Sequence, residues 1–106
     1  MKTTSELITA GADRLERMGW CQGSFAQDKN DQSVPPDDEE ACSFCAVGAM
    51  RAVGQNVLIG RAIHALSLAA SRTITRWNDD PGRTKDEVIA LMRRTAAKLE
   101  AGQWQN

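Results

Sequence analysis

Tyrosine is absent, phenylalanine occurs twice and histidine once in 106 residues. With so few large rings the core must be built from small and aliphatic side chains, which suits closely approaching helices better than a sheet. Nor is there a surplus of either charge: thirteen basic against fourteen acidic residues leave a formal net charge of −1. That excludes a global field able to gather the chain on a polyanion, so nucleic-acid binding is not expected without a local patch. No apolar run approaches bilayer length, which argues against a membrane-spanning segment. The stretch from Met1 to Glu6 also lacks the apolar core of a signal peptide, and the expected location is the cytoplasm. There the three cysteines are expected as thiols, because an odd number cannot all pair within one chain.

What is present is the balance of a globular protein, 42% hydrophobic and 25% charged. The length fits one domain over 1–106, since two cores would leave each half barely able to offset its chain entropy. The first helix is predicted from Thr4 to about Met18, opened by Thr3 with Glu6 three residues later as a capping box. Gly19 stops it, and Trp20 turns the chain back as a buried anchor. Residues 24–36 show no periodicity and read as a long polar loop, either mobile or employed at the surface. The acidic run Asp37-Asp38-Glu39-Glu40 reads as the start of a second, central helix carrying Cys42, Cys45 and Gly48 as far as Val53. In that helix Gly48 would let a neighbouring helix approach closely. A third helix is predicted over 56–70 and a helical turn over 73–77, followed by the turn signal of 78–82. The last helix begins at the Thr84/Glu87 capping box and closes at Gly102. The expected architecture is an all-α bundle of about four helices with one long polar loop and no sheet.

Three segments stand in a characteristic order: Gly19-Trp20-Cys21-Gln22-Gly23, then Cys45-Ala46-Val47-Gly48-Ala49, then Trp77-Asn78-Asp79 with Gly82-Arg83-Thr84 and Asp86-Glu87-Val88. In that order they resemble a family of short proteins of bacteria and their phages known as a domain of unknown function. The likeness runs from the first helix through the last. It implies a compact intracellular protein and assigns no reaction, but it draws attention to the turns bearing Trp20, Gln22, Trp77, Asn78, Asp79 and Arg83 as binding residues.

Four chemistries can be weighed on the residues themselves. Cys21, Cys42, Cys45 and His64 would make a Cys₃His zinc set, and Cys42 and Cys45 have the two-residue spacer. Both fall on one continuous predicted helix, however, whereas zinc knuckles use turns, and unpaired cysteines are commonly buried. Cys45 or Cys21 as nucleophile, His64 as base and Asp79 or Asn78 as orienting group would make a thiol hydrolase or transferase. Against this, the acidic run at 37–40 opposes a thiolate, and His64 beside an apolar stripe is more often a packing residue. The segment from Trp77 to Asp80 offers carboxylates to a hard cation but more simply orients the last helix. Arg72, Arg76, Arg83, Lys85, Arg93, Arg94 and Lys98 make the carboxy-terminal half basic, without interleaved aromatics to stack bases.

The titratable groups therefore converge on no defensible catalytic constellation, and a non-enzymatic binding protein without a cofactor is expected. In the phage setting that the resemblance implies, such a protein acts by occluding a host protein, as an anti-CRISPR inhibits a defence system. Self-association is a further expectation, and the thiol enzyme using Cys45 and His64 is the rival.

Overall fold

The computed structural model describes residues 1–54 and 56–102; Trp104, whose packing bears on the tail, lies outside them. Five helices are present among the described residues: α1 Thr4–Arg17, α2 Ala46–Val53, α3 Asn56–Ala70, α4 Ile74–Asn78 and α5 Lys85–Glu100. The fold is the mostly helical bundle that the composition favours, with α1 lying against both α5 and α2. Both anticipated capping boxes form, Thr3 with Glu6 and Thr84 with Glu87, each satisfying two orphan amides at a helix start.

The core is aliphatic. Leu7, Ile8 and Leu15 of α1 meet Met50 of α2, Leu66 of α3 and Val88, Met92 and Leu99 of α5, all of them buried, with Phe44 the one large ring among them. Gly11 permits the α1–α2 approach, because a β-carbon there would stand 2.8 Å from the Met50 Cγ.

Between α1 and α2 the sequence expectation fails. No helix starts at Asp37. The side chain of Asp38 instead accepts from the Glu40 amide at 2.8 Å, and the Ala41 amide bonds back to the Asp38 carbonyl, which folds the acidic run into tight turns. Residues Ser43–Phe44 form β2, paired antiparallel with β1, Ala26–Gln27. The expectation of no sheet is thus corrected by one of two short strands. The pairing wins because main-chain partners are waiting on both sides: Cys42 donates to the Gln27 carbonyl and Phe44 to the Gly19 carbonyl. The loop 24–36 is correspondingly tied down, with Asp28 Oδ1 accepting from the Asn30 and Gln32 amides and Val34 donating to the Ala26 carbonyl. Gly48 is required, but not for a helix: a β-carbon there would collide with the main-chain carbonyl of Phe25, next to β1.

Candidate functional site

The segments singled out in the sequence meet at one polar junction. Asn78, the last residue of α4, has no solvent exposure. Its Oδ1 accepts from the Trp20 indole at 2.9 Å and from the Ala46 amide at 3.1 Å. Its Nδ2 donates to the Cys21 carbonyl at 3.2 Å and to Asp79 Oδ1 at 2.9 Å. Two donors and two accepting lone pairs exhaust what a carboxamide offers, so burial leaves nothing unpaired. Gln22 reinforces the joint, its Nε2 donating to the carbonyls of Asn78 and Asp80 at 3.0 and 2.9 Å. Arg83 closes the far side: its guanidinium lies 3.9 Å from the Trp77 ring centre, its Nε donates to the Trp77 carbonyl and its Nη2 meets Asp80 at 3.0 Å.

Five of the six residues expected to bind a partner, Trp20, Gln22, Trp77, Asn78 and Arg83, are therefore engaged within the protein. Trp20 is half-buried rather than buried. The sixth, Asp79, is exposed and differently placed. Its Oδ1 is fixed by the Gly23 amide at 3.1 Å as well as by Asn78, while its Oδ2 has no partner among the described residues.

The chain belongs to DUF6197, a family of unknown function. The family model matches residues 1–98, from the first helix through most of α5. No curated protein and no solved structure matches the chain. Membership in DUF6197 thus supplies no reaction, and the chemistry has to be read from the geometry.

That geometry includes a cleft of about 450 Å³ beside the junction. Its lining comes from the turn after Trp20 (Gly23, Ser24, Phe25), from Ser33, from the start of α2 (Cys45) and from α4 (Thr75 and Asp79). Cys45, expected within a continuous helix, instead stands just before α2 and caps it: its Sγ accepts from the Gly48 amide at 3.3 Å. Burial is the main cause that pushes its thiol up to about 11, and the charge of Asp79 adds to it. The groups whose charge opposes the thiolate are thus Cys21 and, after it, Asp79, not the run at 37–40. The Cys21 thiol is also raised, again chiefly by burial.

The proposed base is elsewhere. His64 is exposed, not interior filling, because positions 57, 61, 64 and 68 share the outer face of α3 while Leu58, Ile59, Ala62 and Leu66 face the core. It makes no hydrogen bond to a cysteine among the described residues. The zinc set fails likewise: no group of three or more His, Cys, Asp or Glu side chains fit to hold a metal occurs among the described residues. Cys42 is exposed while Cys21 and Cys45 are buried, and all three are free thiols. No described helix is long and apolar enough to cross a membrane.

Sequence reasoning missed Gly23, Ser24, Phe25, Ser33 and Thr75. Phe25 carried the available signal, a large ring in an otherwise polar loop. It is 45% exposed and is held from one side by the Arg51 guanidinium, 5.2 Å from its centre.

Proposed function

We propose that the chain is a non-enzymatic binding protein that covers part of a partner protein, with the cleft and the Phe25 rim at the centre of the contact. One observation carries this reading: the cleft keeps hydrogen-bonding groups unspent on a fixed frame, while its one thiol is held in the protonated form. The hydroxyls of Ser24, Ser33 and Thr75 and the Oδ2 of Asp79 have no partners among the described residues. With a thiol pKa of about 11 for Cys45, only on the order of one molecule in ten thousand carries the thiolate at pH 7, and no imidazole stands by to draw off the proton. An exposed aromatic beside a polar pocket is the composition that contact surfaces favour.

The sequence resemblance points to bacteria and their phages. In that setting the partner is a host protein, and occlusion of a defence-system component, as an anti-CRISPR does, is one form of the action. The test is comparative capture from bacterial lysate with the immobilised protein, its Phe25→Ala variant and its Cys45→Ser variant. The expected result is one companion retained in one-to-one ratio by the parent and by Cys45→Ser, and lost from Phe25→Ala. A companion held equally by all three, or substrate turnover at trace protein concentration that Cys45→Ser abolishes, would overturn the reading.

A further inference from the structure

Among the described residues the cleft lining carries one formal charge, and it is negative. Asp79 is the one acidic side chain among the described residues of the wall, and no arginine or lysine contributes. Two neighbouring carboxylates make the point by contrast. Asp80 is neutralised by Arg72 at 2.8 Å and by Arg83 at 3.0 Å. Asp79, one residue earlier, has no ion pair among the described residues, and its Oδ1 is pinned by the Gly23 amide and by Asn78. The carboxylate is thus held in one orientation with its second oxygen unspent. The same charge helps to hold both Cys21 and Cys45 protonated, and no cation is among the causes acting on either thiol. An anion placed here would meet the Asp79 carboxylate, and the Arg51 guanidinium stands against the Phe25 ring rather than in the wall. Thr75 lies one helical turn before Asp79, so its hydroxyl is an acceptor on the same side of α4. Phe25 supplies apolar surface at the rim.

We infer that the cleft receives an ammonium or guanidinium group on an aliphatic stem, the cation at Asp79 Oδ2 and the Thr75 hydroxyl, the stem against Phe25. This rests on the binding reading above and names its ligand: a lysine or arginine side chain of the partner, with a free alkylamine as the other source of the same chemistry. A cation fits where an anion does not because the groups left unspent are acceptors or hydroxyls able to accept.

The test is titration of the isotopically labelled protein, followed through its backbone amide signals. The probes are Nα-acetyl-lysine methylamide, n-butylammonium and the uncharged Nα-acetyl-norleucine methylamide. Saturable shifts at Gly23, Ser24 and Asp79 are expected with both cations and not with the norleucine compound. Asp79→Asn keeps an oxygen for the Gly23 amide, so its spectrum should match the parent's, while its affinity for the cations falls by up to about fivefold, as loss of one exposed ion pair predicts. Thr75→Val, which leaves the carboxylate intact, should weaken them less and serves if Asp79→Asn does not fold. Tighter binding of the blocked lysine than of butylammonium assigns the site to a protein side chain, and the reverse assigns it to a free amine. Equal binding of the norleucine compound, undiminished affinity in both variants, or no saturation by either cation would overturn the inference. A companion captured from lysate equally by parent and Asp79→Asn would remove the cation while leaving the binding reading intact.

Discussion

Asn78 and Asp79 are consecutive residues at the end of α4, yet one belongs to a closed region of the molecule and the other to an open one. Asn78 sits at full burial where the Trp20 turn, the start of α2 and α4 converge, and every hydrogen bond its carboxamide can make is made. Asp79 faces the cleft with one oxygen fixed and the other unspent. Desolvation explains the difference in use. A buried polar group must be satisfied by the fold itself, whereas a group left to solvent remains free for a ligand. The polar residues gathered around this junction are thus of two kinds, those whose hydrogen bonds are spent within the fold, exposed Gln22 included, and those that keep an unspent group facing the cleft.

The largest effect should come from opening the closed region. Asn78→Ala strands the Trp20 indole, the Ala46 amide and the Cys21 carbonyl, and at about 1–3 kcal/mol for each unpaired group the loss should be roughly 4 kcal/mol, read by urea unfolding. Asn78→Asp should do nearly as much damage, because a carboxylate cannot donate to Cys21 and would face Asp79 Oδ1, now 2.9 Å from the nitrogen it replaces. A loss below about 1 kcal/mol in both variants would mean that the junction is not what fixes the fold.

Next comes the wall between the regions. Gly48→Ala drives a β-carbon into the Phe25 carbonyl, whereas Gly60→Ala meets open space. The first should destabilise by about 3 kcal/mol through backbone displacement and the second should stabilise by about 0.5–1 kcal/mol through helix propensity. Equal effects would show that the Phe25 main chain is not seated on α2 as described.

A third effect is pH-dependent. The Cys45 thiol is raised from its ordinary 9.0 to about 11, so the folded state keeps a proton that the unfolded chain releases. Stability from this group is complete below about pH 9 and falls as pH rises towards and through 11. Relative to Cys45→Ser, the loss should reach roughly 2 kcal/mol by about pH 10.5, measured by urea midpoints across that window. A flat difference would show that Cys45 is not buried in the way its place at the α2 start requires.

The smallest effect belongs to the open region. Asp79→Asn keeps an acceptor for the Gly23 amide and should change stability by less than about 1 kcal/mol, read as an unfolding midpoint close to the parent's. Against the roughly fourfold larger cost at Asn78, this would sharpen the division between the two neighbours. An equal cost would erase it.

Much of the helical frame was legible residue by residue. Thr3 with Glu6 and Thr84 with Glu87 declare two helix starts because their side chains satisfy amides within the same few residues. The range 56–70 was readable from the spacing of Ile59 and Leu66, both buried as expected. The stretch 37–45 was not. Four acidic residues before an apolar run carry the local marks of a helix start, but the amides of Cys42 and Phe44 take partners from distant parts of the chain. The cap of α2 is a thiol, outside the usual set of capping side chains, so nothing local announced it. In the candidate site, the sequence drew attention to Asp79 and Cys45 but not to Phe25, Ser33 or Thr75, whose grouping depends on the Phe25 main chain lying against the start of α2.

The sequence by itself determined a small aliphatic helical domain, because composition, capping and 3.6-residue spacing act over a few neighbours. Only the tertiary structure decided which polar residues are spent. Asn78 reaches Trp20 across 58 positions and Ala46 across 32, and His64 parts from Cys45 because one lies on an outer helix face and the other in the interior. Such meetings are set by how the helices pack, and packing is a property of the whole chain that no local stretch encodes.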